Sequence, residues 1–339
     1  MEWGVPAREI GAFTMRPMRS QDAQGVVNLY REIYGDHYPI REIYDPEFIL
    51  KQHEKGLMVR AVVVDAGQNV LGAQALYRLE ENYPGLYELG HGMVLPSHRA
   101  LGLTNNLLIY LLRSVGPAVG GEEFWGESVT NHVFMQRAVL AAEGVFETGI
   151  ELEIMPAVAY AKERSAPGRV SAVVVYFPGI DKPHDVCLPP VYEELMTEIY
   201  GRQNRKRALR EGIAPLPEGG HTCLAHTYIA GAGVLRVSVF EAGRDAAEQV
   251  SALVRTYEEA GAEVFQVFLP LDKAYSGALT EALNGQGFFF GAVMHRWFDA
   301  DGLLLQKLPR PTDYDGIHLY SDFAQRLLAF IIEDRRRVT

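Results

Sequence analysis

The sequence predicts a mixed α/β protein, and three observations predict it. Runs of alternating apolar residues interchange with runs of helical period along the whole chain. Several of the strands follow one another without a helix between them, so a strict βαβ repeat is excluded and a mixed sheet is expected. The order of elements in the first half also recurs, in part, in the second.

The elements follow in order. Phe13–Arg19 alternates and reads as a strand, with Ser20 placed to cap the helix after it. Val26, Leu29, Tyr30 and Ile33 give that helix one apolar face. A short second helix begins at DPEF, with Pro46 in its first turn. Leu57–Ala66 and Asn69–Glu80 read as a hairpin around GQN, and Tyr87–Leu95 as a fourth strand. A Leu-rich helix follows Gly102, then a strand over Glu122–Val129, a helix ended by Gly144, and strands over Phe146–Met155 and Val170–Phe177. GIDKPHDVCLPP reads as a linker, VYEELMTEIYGRQ as a helix, and the basic run Arg202–Arg210 as its solvated end. Beyond these, two strands around AGAG, a helix with Asp245 as cap, a strand, a helix and a hairpin repeat the later part of the first half. The tail reads as one more strand and an amphipathic helix whose Arg335–Arg337 suit a C-terminus. The expected division is 13–180, a degenerate second copy over 190–308, and a C-terminal strand and helix over 309–339.

Composition narrows the function classes. The 339 residues are 48% apolar and 22% charged, enough for a core without staples, and carry a formal charge of −11. That charge argues against broad nucleic-acid binding. Cys187 and Cys223 are the two cysteines, too few and too far apart for a disulfide framework. HTCLAH has metal-like letters, yet strand alternation sends Cys223 and His226 to opposite faces, so no metal is expected. No signal-peptide pattern and no membrane-length apolar run is seen, and the expectation is a soluble cytoplasmic protein that binds no membrane.

One stretch carries chemistry. VLPSHRALGLTNNLL runs from the end of the fourth strand through a loop and onto a helix. A helix start offers unpaired N–H groups and a partial positive charge, and Gly102 lets a ligand approach the backbone. An anion, a pyrophosphate in particular, fits such a place, with Arg99 adding a charge-assisted contact. The competing reading is an inert strand-to-helix turn.

The spacing Val94-x-Pro96-x-x-Arg99-x-x-Gly102-x-Thr104, set after strand four, resembles the acetyl-CoA motif of the GNAT acyltransferase superfamily, Arg/Gln-x-x-Gly-x-Gly/Ala. The order of elements over Phe13–Phe177 resembles that fold as well. The resemblance implies an N-acetyltransferase that moves an acetyl group from acetyl-CoA to a primary amine by direct attack. It implies that Gly92, Met93 and Val94 pair with the pantetheine arm, that Arg99, Ala100, Leu101, Gly102, Leu103, Thr104 and Asn105 hold the pyrophosphate, and that Asn131 lies near the arm. Thr104 stands where the family has Gly or Ala. No Tyr occupies the family's place in the helix after Asn131, where Ala138 or Leu140 stands instead. That gap supports a second reading, a non-catalytic acyl-CoA sensor or interaction module.

An ammonium acceptor must lose a proton before it attacks. Glu88, at the start of strand four, and Glu127, near the end of strand five, are the candidate bases. Tyr34, His37 and Tyr38, in the loop after the first helix, are candidates for the acceptor site. Strand alternation puts His91 on the face opposite Glu88, as a half-buried packing residue. The second half lacks the Arg-x-x-Gly pattern and is expected to bind no CoA. Its expected part is to close the acceptor cleft or to form an interface. Oligomeric state stays open, a homodimer being one option.

Overall fold

The computed structural model describes residues 3–36, 38, 40–78, 83–156, 166 and 168–339. Contacts divide the chain into two units. The first comprises Met1–Glu127 with short later segments, among them Phe177–Gly179. The second comprises Ser128–Pro156, Gly168–Tyr176 and Ile180–Thr339. Strands β7 (Phe146–Met155) and β8 (Val170–Phe177) thus fall largely in the second unit.

The first unit is a mixed sheet in the order β1 (Arg8–Ile10), β2 (Phe13–Pro17), β3 (Met58–Val64), β4 (Val70–Tyr77), β5 (Leu86–Val94) and β6 (Glu123–Val129). All neighbours are antiparallel except β5 and β6, which run parallel. β1 is too short to show a period in sequence, so the strand read as fourth is β5. Helices α1 (Ala23–Tyr34) and α2 (Pro46–Glu54) cover one sheet face. Val26, Leu29, Tyr30 and Ile33 of α1 pack there with Val62, Val64, Ala73 and Met93. This is the apolar stripe that helical spacing predicts. Pro46 occupies the first turn of α2, and the Asp45 side chain caps it by accepting from Glu47 N–H. α3 (Leu103–Tyr110) follows β5 and runs through a π turn, Leu111–Val115, into the last turn α4 (Gly116–Ala118).

Ser20 is not the cap of α1. It opens a 3-10 turn, and Asp22 stands at the helix start with its carboxylate turned away from the helix amides. That carboxylate takes two bonds from Arg16, at 2.5 and 3.1 Å, and one from Arg19 N–H at 2.7 Å. A buried guanidinium outbids the helix amides for this carboxylate.

The second unit has a sheet in the order β8, β7, β14 (Phe289–Met294), β15 (Gly302–Lys307), β13 (Val264–Pro270), β12 (Val234–Glu241) and β11 (Cys223–Ile229). α5 (Phe134–Leu140) precedes β7, and α7 (Ala246–Glu259) and α8 (Ser276–Asn284) flank β13. The sequence β11–β12–α7–β13–α8–β14–β15 repeats β4–β5–α3–β6–α5–β7–β8 in order. The sense of pairing repeats as well: antiparallel, then parallel, then antiparallel. The copies differ at the parallel pair. β12 and β13 stay in register over Val234–Ser238, whereas β5 and β6 pair over Leu86–Glu88 only.

Four sequence expectations change here. The linker holds a strand, β9 (His184–Leu188). After α6 (Glu193–Gly201), the basic run contributes β10 (Arg207–Glu211), parallel to β9, rather than a solvated helix end. Arg207 is buried against Asp301, which also takes bonds from Tyr200, His295 Nδ1 and Arg296 N–H, each at 3.0 Å. An ion pair over 94 residues of chain cannot be read from a local charge run. The tail forms α9 (Asp322–Val338), capped by Ser321, with no strand before it among the described residues. Asp245 starts α7, but its carboxylate bonds Thr222 and Gln249 instead of capping.

Asp22→Ala would leave Arg16 buried without its partner, a change that costs about 3–5 kcal/mol. Urea unfolding followed by tryptophan fluorescence should show that loss, and an unchanged midpoint would contradict the role given to the pair.

Candidate active site

The site of the first unit is built on an irregularity in β5. Ala75 pairs with Gly90 and Ala73 with Met93, so His91 and Gly92 together face one residue, Gln74. This is a β-bulge, and His91 takes a left-handed backbone within it, φ 53°. Tyr77 packs over Gly90, where a Cβ would lie 2.8 Å from its ring. The bulge resets the alternation. His91 therefore lies with Tyr77, 5.1 Å between ring centres, and Tyr77 donates its hydroxyl to Glu88. The expectation that His91 faces away from Glu88 is corrected: the extra residue shifts the phase of the strand by one.

Residues of α1 and its following loop close round His91. Tyr30 and Tyr38 hydroxyls meet its Nδ1 at 2.7 and 3.0 Å. Tyr34 and Tyr38 stand edge-on at 5.1 Å, and Tyr38 meets Tyr30 at the same spacing. Tyr44 locks the loop, accepting from Tyr38 N–H at 3.1 Å and donating to Gly35 C=O at 2.7 Å. Two of the sequence-predicted acceptor residues, Tyr34 and Tyr38, are thus brought to one cluster. His37 lies outside the described residues. Tyr30, Tyr77 and His91 were missed as site residues. The one available signal was GHG inside a strand, since glycine there marks a bulge.

Glu88 is buried and Glu127 half-buried, and both charges, after burial itself, hold the Tyr77 phenol well above its ordinary range. The β5–β6 ladder stops at Glu88–Trp125, before Glu127 and before the bulge. From there on β5 has no ladder partner on the β6 side within the first unit, so Gly92, Met93 and Val94 carry backbone groups that β6 does not take up. Beneath the tyrosines lies Arg60, 1% exposed, which bonds Met58 Sδ at 2.7 Å while its Nη1 finds no acceptor among the described residues.

The loop after β5 keeps its amides open. Ala100 and Gly102 both adopt left-handed backbone, φ 68° and 70°, and Gly102 is the N-cap of α3. The helix thus begins at Leu103, one residue earlier than Thr104, and Thr104 does not cap it. None of the amides from Ala100 to Asn105 finds an acceptor among the described residues, and the first ladder bond runs from Asn106 N–H to Gly102 C=O at 3.1 Å. No acidic side chain occupies the first turn. Leu101, Gly102 and Asn105 are exposed, Thr104 half-buried, and Arg99 stands half-buried beside them. Asn131 is half-buried and belongs to the second unit. Among the described residues no group of His, Cys, Asp and Glu has the arrangement of a metal site. No helix among them is long and apolar enough to cross a membrane.

Comparison with solved structures finds N-acetyltransferases along half of this chain. The ribosomal-protein-S5-alanine acetyltransferase of Vibrio fischeri matches 52% of this chain and 100% of its own, at 15% identity and a TM-score of 0.42. The ribosomal-protein-S18-alanine N-acetyltransferase of Escherichia coli matches 51% and 97%, at 14% identity and 0.39. An N-acetyltransferase of Staphylococcus aureus Mu50 matches 49% and 97%, at 13% and 0.39. No family model and no curated protein sequence matches the chain.

Burial first, then the charge of Arg60, lowers His91 to about 3 and His53 to about 4, both from 6.5. The unfolded chain takes up these protons below pH 6.5 and the folded unit does not. The stability they contribute is complete above pH 6.5 and is lost as pH falls from there toward 3. The urea midpoint should decline across that window, and less steeply in the double variant His53→Gln, His91→Asn. Equal slopes for the two proteins would contradict the assignment.

Proposed function

We propose that the first unit is an N-acetyltransferase that takes acetyl-CoA as donor and a primary amine as acceptor. The observation that carries this reading is the run of open amides from Ala100 to Asn105 at the start of α3, directly after the strand whose parallel ladder ends early. Left-handed Ala100 and Gly102 turn successive N–H groups to one side, a concavity suited to a pyrophosphate. Arg99 would add a charged contact, and the backbone of Gly92–Val94 would pair with the amide-bearing arm. Acetyl-CoA, when bound, supplies an activated acyl group as a thioester.

The chain's own residues do the rest. Glu88, or Glu127, takes a proton from the acceptor ammonium, directly or through a water. The amine nitrogen then bonds the carbonyl carbon, the carbon–sulfur bond breaks, and the thiolate leaves with its electron pair and takes up, directly or through a water, the proton that the acylated nitrogen gives up. Tyr77, bonded to Glu88 and held protonated by its burial and by both carboxylates, keeps the Glu88 carboxylate oriented. The second reading, a non-catalytic acyl-CoA sensor, is favoured by α5, where Ala138 and Leu140 stand and no tyrosine does.

Calorimetric titration should show acetyl-CoA and CoA binding, and Gly102→Val should abolish it, because valine does not tolerate φ 70° and covers the amides. Absence of binding at millimolar ligand would overturn both readings. Thiol release against a panel of amines separates them. A transferase should lose about 10²–10⁴-fold in kcat in Glu88→Gln if Glu88 is the base, or in Glu127→Gln if that carboxylate is, whereas a sensor releases no thiol from any amine.

A further inference from the structure

The second unit holds a pocket of about 670 Å³, and no residue given a part in acetyl transfer lines it. Its floor is backbone. Gly277 N–H, at the start of α8, donates to Gly212 C=O, just past β10, at 2.9 Å, and a Cβ on Gly277 would run into that oxygen. Ser276 ties the same corner to Cys187 C=O at 2.7 Å. Val191 and Ile213, 42% and 67% exposed, give the pocket apolar walls. Glu281 and Arg337 are the charged residues of the lining. Arg337 is held along one edge. Its Nε and Nη2 donate to Asp334 Oδ1 at 2.9 and 2.7 Å, and Nη2 also to Asn284 Oδ1 at 2.9 Å. Asp334 and Asn284 are buried, and the second Asp334 oxygen accepts from the Tyr192 hydroxyl and Phe290 N–H at 2.8 and 2.7 Å. Arg337 Nη1 finds no acceptor among the described residues. A fixed guanidinium, on a side chain 44% exposed, thus keeps two N–H groups for a ligand. Glu281 precedes Asn284 by three residues on α8, so the two share a helix face with Cβ atoms about 5–6 Å apart. Glu281 is exposed and meets no cation among the described residues.

We propose that this pocket binds a free α-amino acid with a large apolar side chain. The carboxylate takes Arg337 Nη1, the ammonium takes Glu281, and the side chain lies against Val191 and Ile213. Opposite charges one helical turn apart match a zwitterion whose own charges sit on neighbouring atoms. A simple carboxylate would meet a like charge at Glu281, and a simple amine would meet one at Arg337. A long peptide holds its charged ends too far apart to use both. The anchored guanidinium and the backbone floor need no ordering on binding, which favours a small ligand. The site is independent of the acetyl-transfer reading, since every group in it belongs to the second unit.

Calorimetric titration of the full chain with L-leucine, in the absence of acetyl-CoA, tests this. Leucine should bind. Isocaproate, which lacks the ammonium, and isoamylamine, which lacks the carboxylate, should each bind about tenfold more weakly or worse, having lost one charge-assisted bond. Glycine should be weaker by about the same factor for want of apolar area. Glu281→Gln changes an exposed side chain and keeps the fold. It should weaken leucine about tenfold and leave isocaproate unchanged. Arg337→Lys keeps the charge but not the planar fork, and should weaken leucine and isocaproate alike. No heat with leucine at millimolar concentration, equal binding of leucine, isocaproate and isoamylamine, or leucine binding undiminished in either variant would overturn the proposal. Leucine is itself a primary amine, and binding at the proposed acceptor site of the first unit would show as that last outcome. A chain that binds no acetyl-CoA or releases no thiol refutes the transferase reading separately.

Discussion

At one place in β5 two residues oppose one, and the tyrosine cluster of the first unit depends on that extra residue. Without it His91 would point to the face covered by α3 and Glu88 would have no imidazole on its side. A left-handed non-glycine residue costs roughly 1–2 kcal/mol. Nδ1 offers one in-plane position that the Tyr30 and Tyr38 hydroxyls share, and the hydrogen bond made there, about 0.5–1.5 kcal/mol net, offsets much of this. The bulge is therefore kept by the side chain it re-aims. Gly90 serves the same end from the other direction, since Tyr77 occupies the space a side chain would need.

The bulge and the early end of the β5–β6 ladder are consecutive along one strand. A strand that kinks cannot keep a parallel neighbour in register, so backbone groups of Gly92–Val94 are released where the chain turns toward the open amides of α3. Proposed donor site and proposed acceptor site thus lie on either side of one distortion. The second unit repeats the order and sense of these strands, yet its parallel ladder runs on through Val234–Ser238. There β12 has its own irregularity against β11, near Glu241, but its parallel ladder spans five residue pairs against three, and that half lacks an Arg-x-x-Gly loop.

The second unit has a different organising group. Asp301, fully buried, is held well below the usual carboxylate range, against the cost of its burial, by the charge of His295 and by bonds from its neighbours, with Arg207 adding to the effect. It draws β10 and the end of β14 to one point, and so turns a basic segment into a strand edge. A run of arginines that looks solvated becomes structural because one of them meets a carboxylate far along the chain.

The sequence by itself determined the mixed α/β class, the stripe of α1, the proline start of α2, the repeated order of elements and the loop at Arg99–Asn105. Each of these is written in residues close together, through period, turn chemistry or spacing. It also named Glu88, Glu127, Tyr34 and Tyr38. Tertiary structure alone decided that His91 joins Glu88, that Asp22 serves Arg16 instead of capping a helix, and that Arg207 leaves a helix end for Asp301. Each of those outcomes turns on a partner in another strand or a one-residue slip in register. Local periodicity carries no record of either, because a bulge and a long-range ion pair are settled by competition among groups that only the folded chain brings together.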